Sequence, residues 1–305
     1  MVIYRKYYCF YLLLIVAISL TACSAKIIKT KPDPVKADLV TAEPPKPVVV
    51  NPHAATDSVY TFKTDSLLSI VKQQQPAMLF DSTGAVAITS EWIGSVNFGI
   101  RKANYVIIHF TGQDSIPQTL KTFTLKITEV SAHYVIGKDG KVFHLVNDYL
   151  RANHAGVGKW GSVTDMNSIS LGIEIDNNGT EPYTPAQIKS LLYLLAQLKK
   201  TYNIPTANFI GHQDFAPKRK PDPGPLFPWK LLADNGFGYW SDPVLEPAPD
   251  NFDYKTALRL IGYDTSDLNA AIIAFKRHFV QDDSTTQLSQ LDLNVLYNMY
   301  QKYAP

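Results

Sequence analysis

The sequence predicts an α/β fold, in which helices pack against a central sheet, followed by a small C-terminal bundle of three helices. Two segments predict the sheet. The run Tyr105–Phe110 is continuously apolar and rich in β-branched residues, which is typical of a strand buried on both faces. In Ser168–Ile175, apolar residues alternate with small or charged ones. An apolar stripe at helical spacing after Thr184 predicts a long helix beside the sheet.

The length and composition favour two folded domains. The chain has 305 residues, of which 46% are hydrophobic and 18% charged, as in ordinary globular proteins. A net charge of +2 gives no reason to expect a nucleic-acid partner, and we expect a monomer. The predicted organisation is a signal peptide at 1–23, an extended linker at 24–57, a first domain at 58–245 and a helical domain at 246–305.

The first 23 residues carry the features of an export signal. Arg5 and Lys6 precede an apolar run, Tyr11–Leu20, that is too short to span a membrane comfortably. The sequence Leu20-Thr21-Ala22-Cys23 resembles the lipobox of bacterial lipoproteins. This resemblance implies cleavage before Cys23 and lipidation of its thiol; the alternative is an ordinary signal peptide with an incidental cysteine. The other cysteine, Cys9, would be removed, so no thiol remains for a disulfide or a metal.

The segment between the signal and the strands predicts little regular structure. Residues 24–57 are rich in Pro, Lys, Ala and Val without helical or strand periodicity, which is typical of an extended linker. We expect folded structure from about Val59, with Asp65 capping a short helix over Ser66–Gln73.

Histidines mark the next predicted elements. His109 lies at the end of the first strand, before the turn-like Thr111-Gly112. Asp139-Gly140 separates two apolar runs and predicts a β-hairpin. We expect His133 and His144, in that hairpin, to lie on the surface or beside the site. A hydrogen-bonded core histidine is the alternative interpretation of His109.

The second predicted strand carries one carboxylate among small residues. Ile169, Leu171, Ile173 and Ile175 face one side of it, and Ser170, Gly172 and Glu174 face the other. The small residues predict room for a ligand above the sheet. A glutamate on the polar face of a half-exposed strand is, alternatively, simply solvated. A glycine-rich loop with His154 and Trp160 precedes this strand.

A proline-rich loop follows the long helix. The helix begins at Thr184, with Pro185 in its first turn and Gln187 completing a capping box. A short strand, Asn208–Gly211, then leads into GHQDFAPKRKPDPGPLFPW, whose prolines exclude a regular helix or central strand. This stiff loop carries two candidate metal ligands, His212 and Asp222; a solvated loop is the alternative if the loop is taken alone.

Three short helices are predicted after Asp250. One ends at Gly262, a second is capped by Ser266, and a third carries Leu293, Leu296 and Tyr300. The run AIIAFKRHF and the Gly262-Tyr263-Asp264 turn resemble the three-helix peptidoglycan-binding domain, with a merely stabilising helical cap as the alternative. We expect His278 on the surface of this bundle.

The ordered motifs resemble one enzyme family. His109 at a strand end, NHAGVGKWG, SISLGIEIDNNG and the proline-rich loop together resemble the zinc-dependent N-acetylmuramoyl-L-alanine amidases of the amidase-2 type, most closely their lipoprotein branch, over roughly Ser95–Trp229. The resemblance implies a mixed central sheet flanked by helices. It implies that His109, His212 and Asp222 bind Zn²⁺. It also implies that Glu174 is the catalytic carboxylate, that Lys220 is its cationic partner, and that His154 and Trp160 line the substrate groove.

The expected function is hydrolysis of the amide bond between N-acetylmuramic acid and L-alanine in peptidoglycan or muropeptides. The protein is expected to be exported and anchored through Cys23 in the bacterial cell envelope, at the outer membrane. Two alternatives remain at this point: a non-catalytic peptidoglycan-binding lipoprotein, and a metallo-peptidase acting on the stem peptide. Because no expected site residue follows Asp222, a chain ending near Pro249 is predicted to keep its activity on small muropeptides.

Overall fold

The structure is a computed structural model that describes residues 53–73, 79–88, 92–93, 102–282 and 285–304. The signal segment, Cys23 and nearly all of the expected linker lie outside these residues. The helices are α1 (Ala54–Val71), α2 (Ile116–Thr124), α3 (Pro185–Tyr202), α4 (His212–Phe215), α5 (Trp229–Asp234), α6 (Tyr254–Ile261), α7 (Leu268–Phe275) and α8 (Gln290–Tyr303). The strands are β1 (Leu79–Phe80), β2 (Val86–Ile88), β3 (Tyr105–Phe110), β4 (Tyr134–Ile136), β5 (Val142–His144), β6 (Ser170–Ile175) and β7 (Phe209–Gly211). Within the described ranges, no helix combines the length and the apolar character needed to cross a membrane.

A five-stranded mixed sheet forms the centre of the fold, as the sequence predicts. Its strand order is β5-β4-β6-β3-β7. The neighbours β4, β6, β3 and β7 run parallel, and only β5 is antiparallel, paired with β4 through the predicted hairpin. Gly140 supplies the positive φ, +82°, that the Asp-Gly turn requires. The small antiparallel pair β1–β2, which the sequence did not predict, lies outside this sheet.

One face of the sheet packs against α3. The predicted capping box is present, because the Thr184 side chain accepts from the N–H of Gln187 and the Gln187 side chain accepts from the N–H of Thr184. The helix ends at Tyr202, followed by Asn203 in the left-handed conformation with φ 55°. Its buried residues Leu191, Leu195 and Leu198 share one hydrophobic core with apolar side chains of β3 and β6. These strand residues are Val106, Ile108, Leu171, Ile173 and Ile175.

The opposite face is covered by the three C-terminal helices. One continuous hydrophobic core contains sheet-side residues, such as Ile107 and Ile210, together with α6, α7 and α8 residues, such as Leu258, Phe275 and Leu296. All described elements lie in one compact unit, Ala54–Pro305. The three predicted helices are therefore present, but a chain ending near Pro249 would open this core. The expectation that such a chain keeps its activity does not fit this packing.

Two helix starts differ from the prediction. Helix α1 begins at Ala54, inside the expected linker, and Asp65 lies in its interior rather than at its cap. No proline interrupts the chain between Pro52 and Pro76, so nothing prevents an earlier start. Helix α7 is capped by Asp267 rather than Ser266, because the Asp267 carboxylate accepts from the N–H of Ala270. Peptidoglycan binding by the C-terminal helices and the monomeric state stay predictions.

Candidate active site

The carboxyl ends of three neighbouring parallel strands bring the candidate residues together. His109, near the end of β3, lies opposite Glu174 of β6 in the strand register. On the other side of β3, Ile108 pairs with Gly211, the last residue of β7. His212 follows directly, so it emerges at the same edge. Backbone pairing in the sheet therefore sets the spacing of His109, His212 and Glu174.

Three buried ligand atoms converge on one point. The Nδ1 atoms of His109 and His212 are 2.9 Å apart. The Oδ2 atom of Asp222 lies 2.9 Å from Nδ1 of His109 and 3.1 Å from Nδ1 of His212. The three side chains come from β3 and the two ends of the loop segment after β7, and all are buried.

This arrangement fits a tetrahedral Zn²⁺ centre. Ligands at the usual zinc distances of about 2.0–2.2 Å lie roughly 3.3 Å apart, close to the separations of these three atoms. Two imidazoles and one carboxylate are suitable donors for zinc, and three protein ligands leave a fourth position open, which is typical of catalytic sites. The described residues contain one buried group of this kind, and it is the predicted set His109, His212 and Asp222.

The protonation states also suit a metal. Burial lowers the pKa of His109 to about 4, with the nearby His212 and Lys220 adding to the effect and Asp222 opposing it. Burial raises the pKa of the Asp222 carboxyl, but hydrogen bonds with His109 and His212 outweigh this and hold its pKa well below the ordinary value. Near neutral pH, His109 is therefore neutral and Asp222 ionised, which are the forms that bind metals.

The loop that supplies two of the ligands begins with a helical turn. Residues His212–Phe215 form α4, so the segment is less irregular than the prolines suggest. The turn ends before Pro217, the first proline of the loop. The N–H of Gln213 donates to the carbonyl of Asp222 at 2.8 Å, which closes the loop and brings His212 and Asp222 together.

Contacts on the far side of each imidazole are compatible with the ligating tautomer, although Nε2 of His212 also lies 3.0 Å from Nη2 of Arg219, which can only donate. His212 Nε2 lies 2.8 Å from the carbonyl oxygen of Ala155, and His109 Nε2 lies 3.2 Å from Nδ1 of His154. With its proton on Nε2, each ring donates to that partner and keeps the lone pair on Nδ1. His154 then has Nε2 toward Oγ of Ser170, at 3.4 Å. Such outer contacts orient metal ligands and raise their basicity.

His154 occupies the space that the small residues of β6 were expected to leave for a ligand. A Cβ atom on Gly172 would lie 2.3 Å from Cγ of His154, so the glycine is needed to admit the imidazole. The ring is buried and faces His109 rather than an open groove. Burial, together with the nearby His109, His133 and His212, lowers the pKa of His154 well below its usual value. In this structure His154 lies against His109 rather than along an open groove.

Glu174 lies beside the ligand set with one free oxygen. Both faces of β6 are buried, so the side chain is 9% exposed and not on a half-exposed strand. Its Oε2 atom has no hydrogen-bond partner among the described residues. Burial and the Asp222 charge raise the pKa of Glu174 well above its ordinary value, while Lys220 opposes the shift. A buried, unpartnered carboxylate of this kind is suited to proton transfer.

Comparison with known proteins identifies the family. Residues 100–225 match the family described as N-acetylmuramoyl-L-alanine amidase. The chain is 35% identical over 207 residues to N-acetylmuramoyl-L-alanine amidase AmiD of Escherichia coli (strain K12), covering 57% of this chain and 74% of AmiD.

The chain belongs to the N-acetylmuramoyl-L-alanine amidase family. It is an amidase of the amidase-2 type. It is also 41% identical over 100 residues to 1,6-anhydro-N-acetylmuramyl-L-alanine amidase AmpD of Enterobacter cloacae, covering 33% of this chain and 54% of AmpD.

Solved structures share the fold of this amidase. The complex of E. coli AmiD with the substrate anhydro-N-acetylmuramic acid-L-Ala-D-gamma-Glu-L-Lys aligns with a TM-score of 0.61 at 27% identity, over 74% of this chain and 98% of that one. AmpDh3 of Pseudomonas aeruginosa in complex with anhydromuramic pentapeptide also gives 0.61, at 26% identity, over 74% and 99% of the two chains. These shares extend past residues 100–225, so the likeness is not confined to the segment that matches the family.

The expectation for Trp160, near the amidase site, needs correction. Trp160 is buried in the core below the C-terminal helices, where its ring meets Tyr263 edge-on at 5.0 Å. A Cβ on Gly262 would lie 2.4 Å from the indole, so this glycine makes room for it. Trp160 therefore does not line an open groove. His133 is buried, with its Nδ1 accepting from the N–H of Gly172 and its Nε2 contacting the carbonyl of Leu150. Its ring meets that of His154 edge-on at 5.6 Å, so of its two expected positions it occupies the one beside the site. The other hairpin histidine, His144, lies at the surface and stacks on Tyr134.

Two residues that the sequence did not single out also support this amidase site. Arg219 donates through Nη2 to the carbonyls of Ala155 and Val157, at 2.7 and 2.8 Å, and so joins the proline-rich loop after β7 to the glycine-rich loop. Tyr183 donates to the carbonyl of Pro223 at 2.9 Å. The sequence signal for Arg219 is its place between Lys218 and Lys220 in the proline-rich loop. Nothing in the pattern around Tyr183 pointed to the site.

Proposed function

We propose that this amidase uses Zn²⁺ to hydrolyse the bond between N-acetylmuramic acid and L-alanine in muropeptides or peptidoglycan. The convergence of His109, His212 and Asp222, with Glu174 in register beside them, carries the proposal. The substrate class is supported by AmiD and AmpDh3, whose structures hold an anhydro-N-acetylmuramic acid peptide and an anhydromuramic pentapeptide.

The three ligand residues would hold the metal at the edge of the sheet. When bound, zinc acts as a Lewis acid that polarises a carbonyl group and lowers the pKa of a water to about 7. The protein contributes a buried set of ligands in which His154 lies behind His109 and the carbonyl of Ala155 lies behind His212.

Glu174 would move the proton during hydrolysis. Its unpartnered Oε2 accepts a proton from the attacking water as the water oxygen bonds to the amide carbon. As the carbon–nitrogen bond breaks, the same oxygen returns that proton to the departing nitrogen of L-alanine. The products are the free carboxyl of the muramic acid lactyl group and a peptide with a free amino terminus.

Lys220 would stabilise negative charge as it develops on the amide oxygen. It lies close enough to act electrostatically on both Glu174 and His109. No hydrogen bond ties down its ammonium group among the described residues, so it is available for a substrate. Removing one such donor typically costs about 3–4 kcal/mol of transition-state stabilisation.

Mass analysis of digested muropeptides tests the proposed reaction. The expected products are a peptide beginning with L-alanine and a glycan fragment without peptide. A shortened peptide still attached to muramic acid would instead identify a metallo-peptidase. Binding to sacculi without any new product would identify a non-catalytic peptidoglycan-binding protein.

We also propose that the protein is exported and anchored by a lipid on Cys23 in the cell envelope, at the outer membrane. Leu20-Thr21-Ala22-Cys23 supports this. Cys23→Ala is expected to abolish labelling by a radioactive fatty acid and to release a soluble, active enzyme. Continued labelling of that variant would contradict the anchor.

A further inference from the structure

The C-terminal helices contact the turn that carries His212 through apolar packing on Phe215 and through hydrogen bonds to one buried carboxylate, Asp214. Asp214 lies two residues after His212 in α4 and is completely buried. Its Oδ2 accepts from the N–H of Gly211 at 2.7 Å, at the junction of β7 and α4. The side chain therefore fixes the start of the turn from which the His212 imidazole projects.

Both other donors to Asp214 come from the C-terminal helices. The hydroxyl of Tyr263, just after α6, donates to Oδ1 at 2.9 Å. The Nδ1–H of His278 donates to Oδ2 at 2.8 Å. A buried carboxylate needs such donors, because removing one leaves a charge that is incompletely compensated in a dry site.

The same C-terminal segment also contacts the far end of the proline-rich loop that carries His212 and Asp222. His278 lies in a π-helical turn, Lys276–Val280, and its ring stacks on Trp229 at 3.8 Å. Gln281, directly after the turn, donates through Nε2 to the carbonyl of Phe227 at 2.8 Å. One short segment thus contacts the loop on both sides of Asp222. Turns of π-helix often occur at functional sites.

We propose that Tyr263 and His278 are positioning residues of the amidase centre, which act through Asp214 to hold the turn that carries His212. The C-terminal helices are then part of the metal-binding machinery as well as a cover for the sheet. Neither residue contacts a ligand atom, so their effect on the metal passes through Asp214. This inference rests on the proposed zinc centre.

Two substitutions at His278 separate the effect of its hydrogen bond from the effect of its ring packing. His278→Phe keeps a flat ring to stack on Trp229 but removes the donor. His278→Asn keeps an N–H near the position of Nδ1 but removes most of the stacked ring. The dissociation constant for Zn²⁺, from chelator competition on the full chain, and the melting temperature of the metal-free protein are measured for each variant.

We expect His278→Phe to weaken zinc binding by up to about tenfold, below the roughly 10–100-fold cost of removing a direct partner of a metal ligand, because His278 acts one step further away, through Asp214. We expect His278→Asn to bind near the wild-type level. Tyr263→Phe, which removes one hydroxyl and keeps the ring, is expected to weaken zinc binding in the same direction. Ile272→Val is the matched control: it loosens the same core, where Ile272 is buried, without touching Asp214. Its melting temperature falls and its zinc affinity stays unchanged.

Two results would overturn the inference. One is wild-type zinc affinity in both His278→Phe and Tyr263→Phe, whatever their melting temperatures. The other is weaker binding by His278→Asn than by His278→Phe, which would assign the effect to ring packing. Failure of the wild-type protein to bind zinc at all would be seen first, and it would overturn the proposed zinc centre together with this inference.

Discussion

The two faces of the central sheet are built on opposite principles. The face toward α3 buries mainly apolar side chains from the central strands, and its helix is specified locally by a capping box. The other face buries His109, Glu174 and His154 among apolar residues and is closed by helices from the far end of the chain. Alternation along β3 and β6 produces this division, since neighbouring residues point to opposite faces.

The two faces differ in how the burial of their side chains affects the free energy of folding. Burying an apolar side chain contributes about 25 cal/mol per Å² to folding, whereas burying an unpaired polar or charged group is unfavourable. Oε2 of Glu174 lacks a protein partner among the described residues. The α3 face should therefore respond to substitution mainly in stability, and the site face mainly in metal binding and turnover.

The largest effect on turnover is expected from removing a ligand on the site face. Asp222→Ala should reduce bound zinc well below one ion per chain and reduce turnover further than substitution of Glu174 or of any positioning residue, because two imidazoles alone hold the metal weakly. Metal analysis of the purified protein, with kinetics, measures both. Asp234→Ala, which alters an exposed ion pair with Lys230, is the control. Full zinc occupancy in Asp222→Ala would show that the ligand set is wrong.

The next effect is expected at Glu174. Glu174→Gln keeps the shape of the side chain but removes its basic oxygen, so turnover should fall by about 10²–10⁴-fold while zinc content stays near that of the wild type. The loss should persist at every pH, because an amide does not titrate into a base. Glu181→Gln, at an exposed ion pair with Lys138, is the control. Zinc loss in Glu174→Gln would make Glu174 a ligand, and near-normal turnover would assign the proton transfer to another group.

A substitution on the α3 face should lower stability and leave turnover unchanged. Leu195 is completely buried between α3 and the sheet, so Leu195→Ala should lower the free energy of unfolding by about 2–5 kcal/mol. Turnover per folded, zinc-loaded molecule should not change. Denaturant titration and kinetics on the same sample test both statements. Tyr193→Ala, on the exposed side of the same helix, should change the unfolding free energy little. A selective loss of turnover in Leu195→Ala would contradict the expected difference between the two faces.

The smallest effect is a pH-dependent stability difference in the metal-free protein. Because the pKa of Glu174 is raised on folding, its contribution to stability is complete below its unfolded pKa, about 4.3, and is lost as the pH rises toward the folded value. Metal-free Glu174→Gln should therefore gain stability relative to the wild type as the pH rises through that window, by at most about 1.4 kcal/mol per pH unit. Urea unfolding with a chelator from pH 4 to 8 measures the difference. A difference that is constant with pH would contradict it.

Local patterns predicted the elements of the fold well. The strands β3 and β6, the hairpin at Asp139-Gly140 and the start of α3 depend on neighbours within a few residues, and each is confirmed. The ligand set is different. His212 and Asp222 taken alone favour a solvated loop, and the ordered resemblance to the family pointed to a metal site. The structure then placed their donor atoms beside that of His109.

Contacts between distant segments could not be predicted. His278 was expected at the surface of an independent bundle, yet it is buried because the bundle packs on the sheet and meets Asp214, 64 residues away. Trp160 was expected in a groove, but its indole fills the space above Gly262. Both side chains carry a ring nitrogen, which is compatible with a surface position. Their burial results from the packing of the C-terminal helices on the sheet.

The pairing of His109 with Glu174 across β3 and β6 has a consequence for how this enzyme can diversify. The separation of a ligand from the proposed base is set by the ladder of main-chain hydrogen bonds, with adjacent strands about 4.8 Å apart. Loops that meet the glycan or the peptide can therefore be lengthened, shortened or exchanged without moving these two groups relative to each other. A strand slip of one residue would bring an isoleucine opposite His109. Changes in the loops can thus alter substrate choice, while the sheet keeps His109 and Glu174 at the same separation.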